Sequence, residues 1–265
     1  MAESEKLVLI VSLAAAVIGW GTWIVGLVRP TRLGRPRHAR GPLALAAGLS
    51  LVLLCLVLTT FSAADVRTAP QYLLFYEVMG AAWVGLGLWL TAWMGVSTRD
   101  DAVERGNRAA TWTLAGATLG LMLCFAGANI GDGPGWWVVV FCAGLATAGW
   151  YVAWLIVELG GGASELITVE RDVASGLRLA GFLIGVGLVC GRAAAGDWIS
   201  ADAALSDFAE IAWPVAPAAL AEVALCRLLP PAPQPSAAHV LAVGVIPALL
   251  YVLVAGAYIS VRGPW

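Results

Sequence analysis

Eight apolar stretches, each about 20 residues long, limit how this chain can fold. They run roughly over residues 7–28, 42–63, 71–96, 108–130, 136–158, 173–194, 206–228 and 238–260. A helix of about 20 apolar residues crosses the roughly 30 Å of hydrocarbon in a bilayer. Helices also satisfy their own backbone hydrogen bonds, which lipid cannot do. We therefore predict an all-α, polytopic membrane protein with eight transmembrane helices.

The composition is typical of a chain that lies in lipid. Hydrophobic residues make up 60% of the 265 residues and charged residues only 12%, against about 25% charged in soluble domains. The net charge of −2 offers no basic surface for nucleic acid. The five Cys form no C-x-x-C pair, and the two His lack ligand spacing. We expect no cofactor, no metal site and no enzymatic activity.

Arginine placement predicts the orientation. The loop after the first stretch carries Arg29, Arg32, Arg35, Arg37 and Arg40, and the loops after the third, fifth and seventh stretches add further Arg. Loops rich in Lys and Arg stay in the cytoplasm. An even number of helices then puts both termini outside. The first stretch follows the mostly acidic MAESEK, so we expect a retained helix rather than a signal peptide.

Two residue types recur with a common period. The even stretches carry Gly48, Gly116, Gly181 and Gly244, at steps of 68, 65 and 63 residues. The odd stretches carry Trp20, Trp83, Trp150 and Trp213, at steps of 63, 67 and 63 residues. A fixed period is the signature of a repeated structural unit. We predict four two-helix hairpins, which are parallel repeats because each hairpin crosses the membrane twice.

A longer pattern opens the fourth stretch and recurs in the sixth. The first copy consists of Asn107, Ala109, Ala110, Leu114, Gly116, Leu119 and Gly120, and the second of Asp172, Ala174, Ser175, Leu179, Gly181 and Gly185. In this pattern the chain resembles the YjfL-type family of bacterial inner-membrane proteins, over about residues 71–196. The resemblance implies an inner-membrane domain of four helices and no assigned activity. Eight helices would make two such domains in tandem, at residues 1–133 and 134–265.

The repeated glycines have two interpretations. Gly116 with Gly120, and Gly181 with Gly185, form small-x-x-x-small pairs, which let helix backbones approach closely in lipid. We expect these four glycines, with the corresponding Gly48 and Gly244, to pack helices together. The alternative is that they line a pore or a ligand slot.

Two polar residues stand nine positions before a repeat glycine. Asn107 and Asp172 each open an even helix on the predicted cytoplasmic side. Such side chains accept hydrogen bonds from the free N–H groups of a first helical turn, so we predict N-caps. The alternative is a partner or anion site at the helix N-termini.

Six acidic residues are candidates for ion or proton binding. Asp65, Asp132 and Asp197 follow their repeat glycines by 17, 16 and 16 residues, and Glu77, Glu210 and Glu222 lie among apolar neighbours. If the hairpins surround an axis, the three Asp would concentrate cations at a pore mouth; otherwise they are polar helix ends. A charge inside a membrane segment is costly and by default indicates function. Glu210 stands out because Pro214 and Pro217 break the helix beside it.

Two classes of function remain. In the first, the chain is a structural or scaffold subunit that lies in the lipid bilayer and packs against other membrane proteins or a second copy of itself. The scarcity of buried charge and the small-residue helix faces favour this class. In the second, the chain is a small ion channel or a proton- or cation-coupled transporter.

Overall fold

The computed structural model describes residues 2–31, 38–232 and 235–262, and these residues are helical with no β-strand among them. Arg32, Arg35 and Arg37 of the orientation argument lie outside the described residues. The α-helices are α1 Glu3–Val28, α2 Arg40–Thr60, α3 Ala64–Arg67, α4 Pro70–Leu90, α5 Arg108–Gly127, α6 Trp136–Gly161, α7 Val173–Ala193, α8 Ala201–Ala212, α9 Val215–Leu228, α10 Ala237–His239 and α11 Ile246–Val261. Three π-helical turns cover Thr98–Glu104, Glu165–Val169 and Val240–Val245.

Seven of the described helices are long and apolar enough to cross a membrane. The stretch Ala237–Val261 counts as one of them, because its π-helical turn does not interrupt it. The seventh predicted stretch is not one straight helix. It divides into α8 and α9, which meet at Pro214 with a bend of 43°, and this pair counts as the eighth candidate span if it is one crossing. The prediction of an all-α polytopic chain is confirmed.

The candidate spans lie in two layers. In the first layer α2, α5, α7 and α11 follow one another side by side. In the second, α1 packs on α4 and α6 packs on α9. The indole N–H of Trp83 on α4 donates to Thr147 Oγ1 on α6 at 2.9 Å, which joins these pairs. The four helices of the first layer therefore form an open row, with α2 and α11 at its two ends, and do not close around a central axis.

The centre of the row is the contact between α5 and α7. A Cβ atom at Gly116 would lie 2.5 Å from the Cα atom of Ala180, so these two helices touch through their backbones. The same contact recurs between α7 and α11, where Gly181 packs on Ala248. These matched contacts favour the hairpin repeat, which stays a prediction. They also join the two expected domains, whose boundary at 133/134 likewise stays a prediction.

Candidate functional site

An arginine lies inside the most buried part of the bundle. Arg178 is the sixth residue of α7, and its side chain is completely buried, as is that of Glu222 on α9. The guanidinium Nε–H of Arg178 donates to Glu222 Oε1 at 2.8 Å. A buried charge without a counter-charge is very costly in an apolar interior. The pair is therefore the reason that either residue is tolerated at this depth.

The remaining polar atoms of the pair have partners on three helices. The hydroxyl of Tyr251 on α11 donates to Glu222 Oε2 at 3.0 Å. Arg178 Nη1 also donates to the Val243 carbonyl at 3.4 Å. Arg178 Nη2 lies 3.6 Å from Cys226 Sγ. The cluster of Arg178, Glu222 and Tyr251, which we call the buried triad, thus joins α7, α9 and α11.

A short polar path leads from the triad towards the start of α7. Arg178 Nη2 donates to Ser175 Oγ at 3.4 Å, and the Ser175 hydroxyl donates to Asp172 Oδ2 at 2.7 Å. Asp172 is the N-cap of α7, and its Oδ2 also accepts from the Ser175 N–H at 3.0 Å. Its other oxygen, Oδ1, is buried and has no hydrogen-bond partner among the described residues.

An apolar groove adjoins the other side of the triad. It has a volume of about 540 Å³ and lies between α7, α9 and α11. Tyr251 forms part of its wall while its hydroxyl points to Glu222. Pro214, at the bend between α8 and α9, lines the same groove. The ring of Tyr251 therefore separates the ion pair from the groove.

The chemistry open to the triad is limited by its pairing. A guanidinium stays protonated in proteins, so Glu222 is the member of the ion pair that can change its charge. Protonation of Glu222 would leave Arg178 as an uncompensated buried cation, which is strongly unfavourable. In this arrangement the triad joins three helices, and both carboxylate oxygens of Glu222 have partners. Its role as an ion or proton site stays a prediction.

The other two glutamates lie in different places. Glu210 is on α8 with its side chain 72% exposed, and its carboxylate accepts from Arg262 at 3.4 Å. Glu77 is on α4 beside an apolar groove between α2 and α4. The structure thus does not bring Glu77, Glu210 and Glu222 into one site, and the bend at Pro214 points to the groove rather than to Glu210.

The three aspartates lie at exposed positions after α2, α5 and α7. Asp65 and Asp132 line one polar cavity of about 240 Å³. The backbone N–H of Asp132 donates to Asp197 Oδ1 at 2.8 Å, so these two are neighbours. The helices that precede the aspartates stand in an open row. The aspartates therefore lie along one end of the bundle and do not encircle a pore mouth.

Asn107 caps α5 in the predicted manner. Its Oδ1 accepts from the N–H groups of Ala109 and Ala110 at 2.9 and 3.3 Å. Its Nδ2 donates to the Ile167 carbonyl at 2.7 Å, which ties the cap to the π-helical turn Glu165–Val169. Asn107 and Asp172 are both more than nine-tenths buried. Both side chains act as caps, and the partner or anion site at these helix starts stays a prediction.

Five of the six glycines expected to pack helices lie at close contacts. The partners are Ala180 for Gly116, Leu183 for Gly120, Ala248 for Gly181, Tyr251 for Gly185 and Ala174 for Gly244. Gly48 is the exception and corrects the expectation, because it is exposed on α2 and a Cβ atom there would meet nothing within 4 Å. Its helix ends the row, so no neighbour covers that face.

Sequence reasoning singled out Glu222 but missed Arg178 and Tyr251. The signal for Arg178 was available, since an arginine five residues beyond the start of an apolar helix needs a counter-charge. Tyr251 carried no such signal, because an aromatic residue in an apolar helix is common. Among the described residues no group of three His, Cys, Asp or Glu side chains is placed to hold a metal ion.

Comparison with known proteins gives one match. No curated protein and no solved structure matches the chain. The family model described as Domain of Unknown Function (DUF350) matches residues 66–194. This segment runs from α3 to the residue after α7 and holds the α5–α7 contact and Arg178. Residues 66–194, slightly less than half of the chain, are therefore similar to this uncharacterised family.

Proposed function

We propose that the chain is a structural subunit of the membrane, which packs against partner membrane proteins and performs no chemistry of its own. The observation that carries this proposal is the backbone contact between α5 and α7. Gly116 meets Ala180, and Gly127 meets Gly191 near the other end of the same helix pair. Close packing of this kind fills the centre of the row and leaves no passage for an ion between its two middle helices.

The cavities support the same proposal by their position. Two cavities, of about 540 and 440 Å³, lie at the edges of the bundle and are not lined by both α5 and α7. The buried charges of Arg178 and Glu222 are also paired with each other. A subunit that holds partners needs rigid helices with uncovered outer faces, and α1 and α11 leave most of their apolar surface uncovered.

We further propose the bacterial inner membrane as the location, with both termini outside. The Arg-rich loop after α1 supports this orientation. The DUF350 segment holds α4, α5, α6 and α7, which supports a four-helix unit of the YjfL type. The helices α1 and α2 before this unit, and α8 to α11 after it, would then lie outside it.

Co-purification from native membranes tests the structural role. A tagged chain, extracted in mild detergent and eluted under native conditions, is expected to carry one or a few membrane proteins in fixed ratio. Recovery of the chain alone, in a detergent that preserves a known membrane complex of the same cells, would contradict the proposal.

A proton- or cation-coupled transporter is the second candidate, and it requires the Arg178–Glu222 ion pair to open during transport. An ionisable pair inside a membrane bundle by default indicates function. The polar path from Asp172 to Glu222 continues to Tyr251, which lines the groove. Flux in liposomes tests this candidate: transport requires ion or proton uptake that is lost in Glu222→Gln and retained in Glu210→Gln. Absence of flux in the unsubstituted chain removes it.

A further inference from the structure

Glu77 is an acidic residue on an outward-facing surface of the bundle. It is the eighth residue of α4, about 10 Å along the helix from Pro70 at 1.5 Å per residue. It faces a groove of about 430 Å³ between α2 and α4. The other residues of this groove are Leu51, Val52, Cys55, Leu58, Leu73 and Leu74. We call this surface the α2–α4 groove.

No described residue forms a hydrogen bond or an ion pair with the Glu77 carboxylate. This distinguishes it from Glu222 and Glu158, which also lie in apolar helices. Glu222 has Arg178, and Glu158 accepts from the Ser164 N–H and hydroxyl at 2.8 and 2.5 Å. An acidic group that faces hydrocarbon without a partner is expensive to keep. The cost indicates a counter-group outside this chain.

We propose that the α2–α4 groove docks a transmembrane helix of a partner protein, which places a Lys or Arg side chain against Glu77. The inference rests on the proposed structural role and names the surface that performs it. Charge complementarity selects the partner, because a carboxylate in an apolar groove is best satisfied by a cation that is buried with it. An acyl chain would fill the groove but leave Glu77 unpaired.

A second copy of this chain is a poorer occupant. Glu77 lies nearer to the end of the bundle where α1 begins and α2 ends, and the described basic side chains of that end already have partners. Lys6 pairs with Glu3 at 2.7 Å, Arg67 donates to the Thr60 carbonyl at 3.2 Å, and Arg262 pairs with Glu210. A copy would have to break one of these contacts to reach Glu77.

The shape of the surface suits a helix. Leu74 and Val52, on facing helices, are each more than half exposed and form the two walls. Cys55, a small and exposed side chain, lines the same groove. Helices in lipid associate through such complementary packing together with buried polar contacts. The groove offers an apolar surface for packing and a carboxylate for a polar contact.

Site-specific photo-crosslinking in living cells tests the proposal. A photoreactive amino acid at Val52 probes the groove, and one at Leu253, on the uncovered face of α11, is the control position. Each is combined with Glu77→Gln, Glu77→Leu and Glu77→Lys, and Glu210→Gln serves as the control for loss of an acidic side chain. Equal yield and equal melting temperature of the purified variants show that each variant folds.

The expected result is one crosslinked protein from position 52, mapped by mass spectrometry to a helix with Lys or Arg within one turn of the crosslink. Its yield falls at least about tenfold in Glu77→Leu and Glu77→Lys, as for a broken buried charge pair, and is unchanged in Glu210→Gln. Exchange of the partner's basic residue for Glu restores crosslinking to Glu77→Lys.

Three outcomes would overturn the inference. They are a yield from position 52 that does not depend on Glu77, a crosslink to a second copy of the chain, and a crosslink to lipid alone. If a partner still co-purifies with Glu77→Leu in full amount, the docking surface is wrong while the structural role stands. If no partner co-purifies with the unsubstituted chain, the structural role itself is wrong.

Discussion

Arg178 and Glu222 form an ion pair of 2.8 Å in which both side chains are completely buried, although 44 residues separate them in the sequence. The pair fixes α7 against α9, and Tyr251 attaches α11 to the same carboxylate. The charges that the bundle encloses therefore act on helix packing. This relationship leads to the first two predictions.

Removal of one member of the pair destabilises the protein, and the two removals differ. Arg178→Met leaves Glu222 unpaired, but a carboxylate can take up a proton and become neutral. Glu222→Leu leaves a buried guanidinium that cannot lose its charge. We expect a loss of roughly 3–5 kcal/mol for Glu222→Leu, typical of a broken buried pair, and a smaller loss for Arg178→Met. Thermal unfolding in detergent micelles measures both.

The double variant and an exposed pair are the controls for this prediction. Arg178→Met combined with Glu222→Leu should recover much of the stability, because no unpaired charge remains. Glu210→Gln, which breaks the exposed pair with Arg262, should cost less than about 1 kcal/mol. Equal losses of stability in Arg178→Met and Glu222→Leu would contradict this prediction, because they would show that an unpaired buried guanidinium does not determine the loss.

The hydroxyl of Tyr251 stabilises the pair. Tyr251→Phe removes its donation to Glu222 Oε2 and should cost about 1.5–3 kcal/mol, the range for hydrogen bonds to charged groups. Tyr258→Phe is the matched control, since that hydroxyl donates to the neutral Ile211 carbonyl at 2.9 Å. We expect a loss near 1 kcal/mol there. A melting temperature that is lower in Tyr258→Phe than in Tyr251→Phe would contradict this account of the triad.

The glycines of the row are not equivalent. Gly116→Ala brings a Cβ atom to 2.5 Å from the Ala180 backbone, so α5 and α7 must separate, at a cost of roughly 1–3 kcal/mol. Gly48→Ala meets nothing within 4 Å and should leave the unfolding temperature unchanged or slightly raised. Gly116 and Gly48 hold the same position in the predicted repeat, so a difference between the two variants reports on helix contacts and not on the sequence pattern. Equal melting curves would argue against the close α5–α7 contact.

The buried cap at Asn107 contributes more than an exposed cap. Asn107→Ala frees two N–H groups of α5 and the Ile167 carbonyl in a buried environment, so we expect a loss of about 2–4 kcal/mol. Ser200→Ala removes the exposed cap of α8, where Ser200 Oγ accepts from the Ala203 N–H at 3.1 Å, and should cost about 1 kcal/mol. Chemical unfolding of the two variants under one condition gives the comparison, and a larger loss at Ser200 would contradict it.

The local features of the fold could be predicted from the sequence. Spans depend on the length and hydropathy of each stretch, and the two N-caps depend on a polar residue at a helix start. The bend at Pro214 was predicted for a similar reason, since proline lacks the N–H that a continuous helix needs. Each of these properties is set by residues within a few turns of each other.

The order in which helices pack could not be predicted in the same way. Gly48 shares its repeat position with Gly116, yet it is exposed, because α2 ends the row and no helix covers the face that carries Gly48. The aspartates were candidates for a ring, which an open row does not form. The partner of Glu222 depends on which helix lies beside α9, and helical periodicity carries no information on that choice.

The most direct test of the central claim is the mass of the native particle. The chain is extracted from its membranes in mild detergent, and native mass spectrometry measures the mass of the particle that contains it. This mass is compared with the 27.5 kDa of the single chain. The account predicts a heavier particle that contains at least one different membrane protein and dissociates to the single chain on activation. A particle of 27.5 kDa alone, accompanied by ion flux from the same preparation in liposomes, would contradict it.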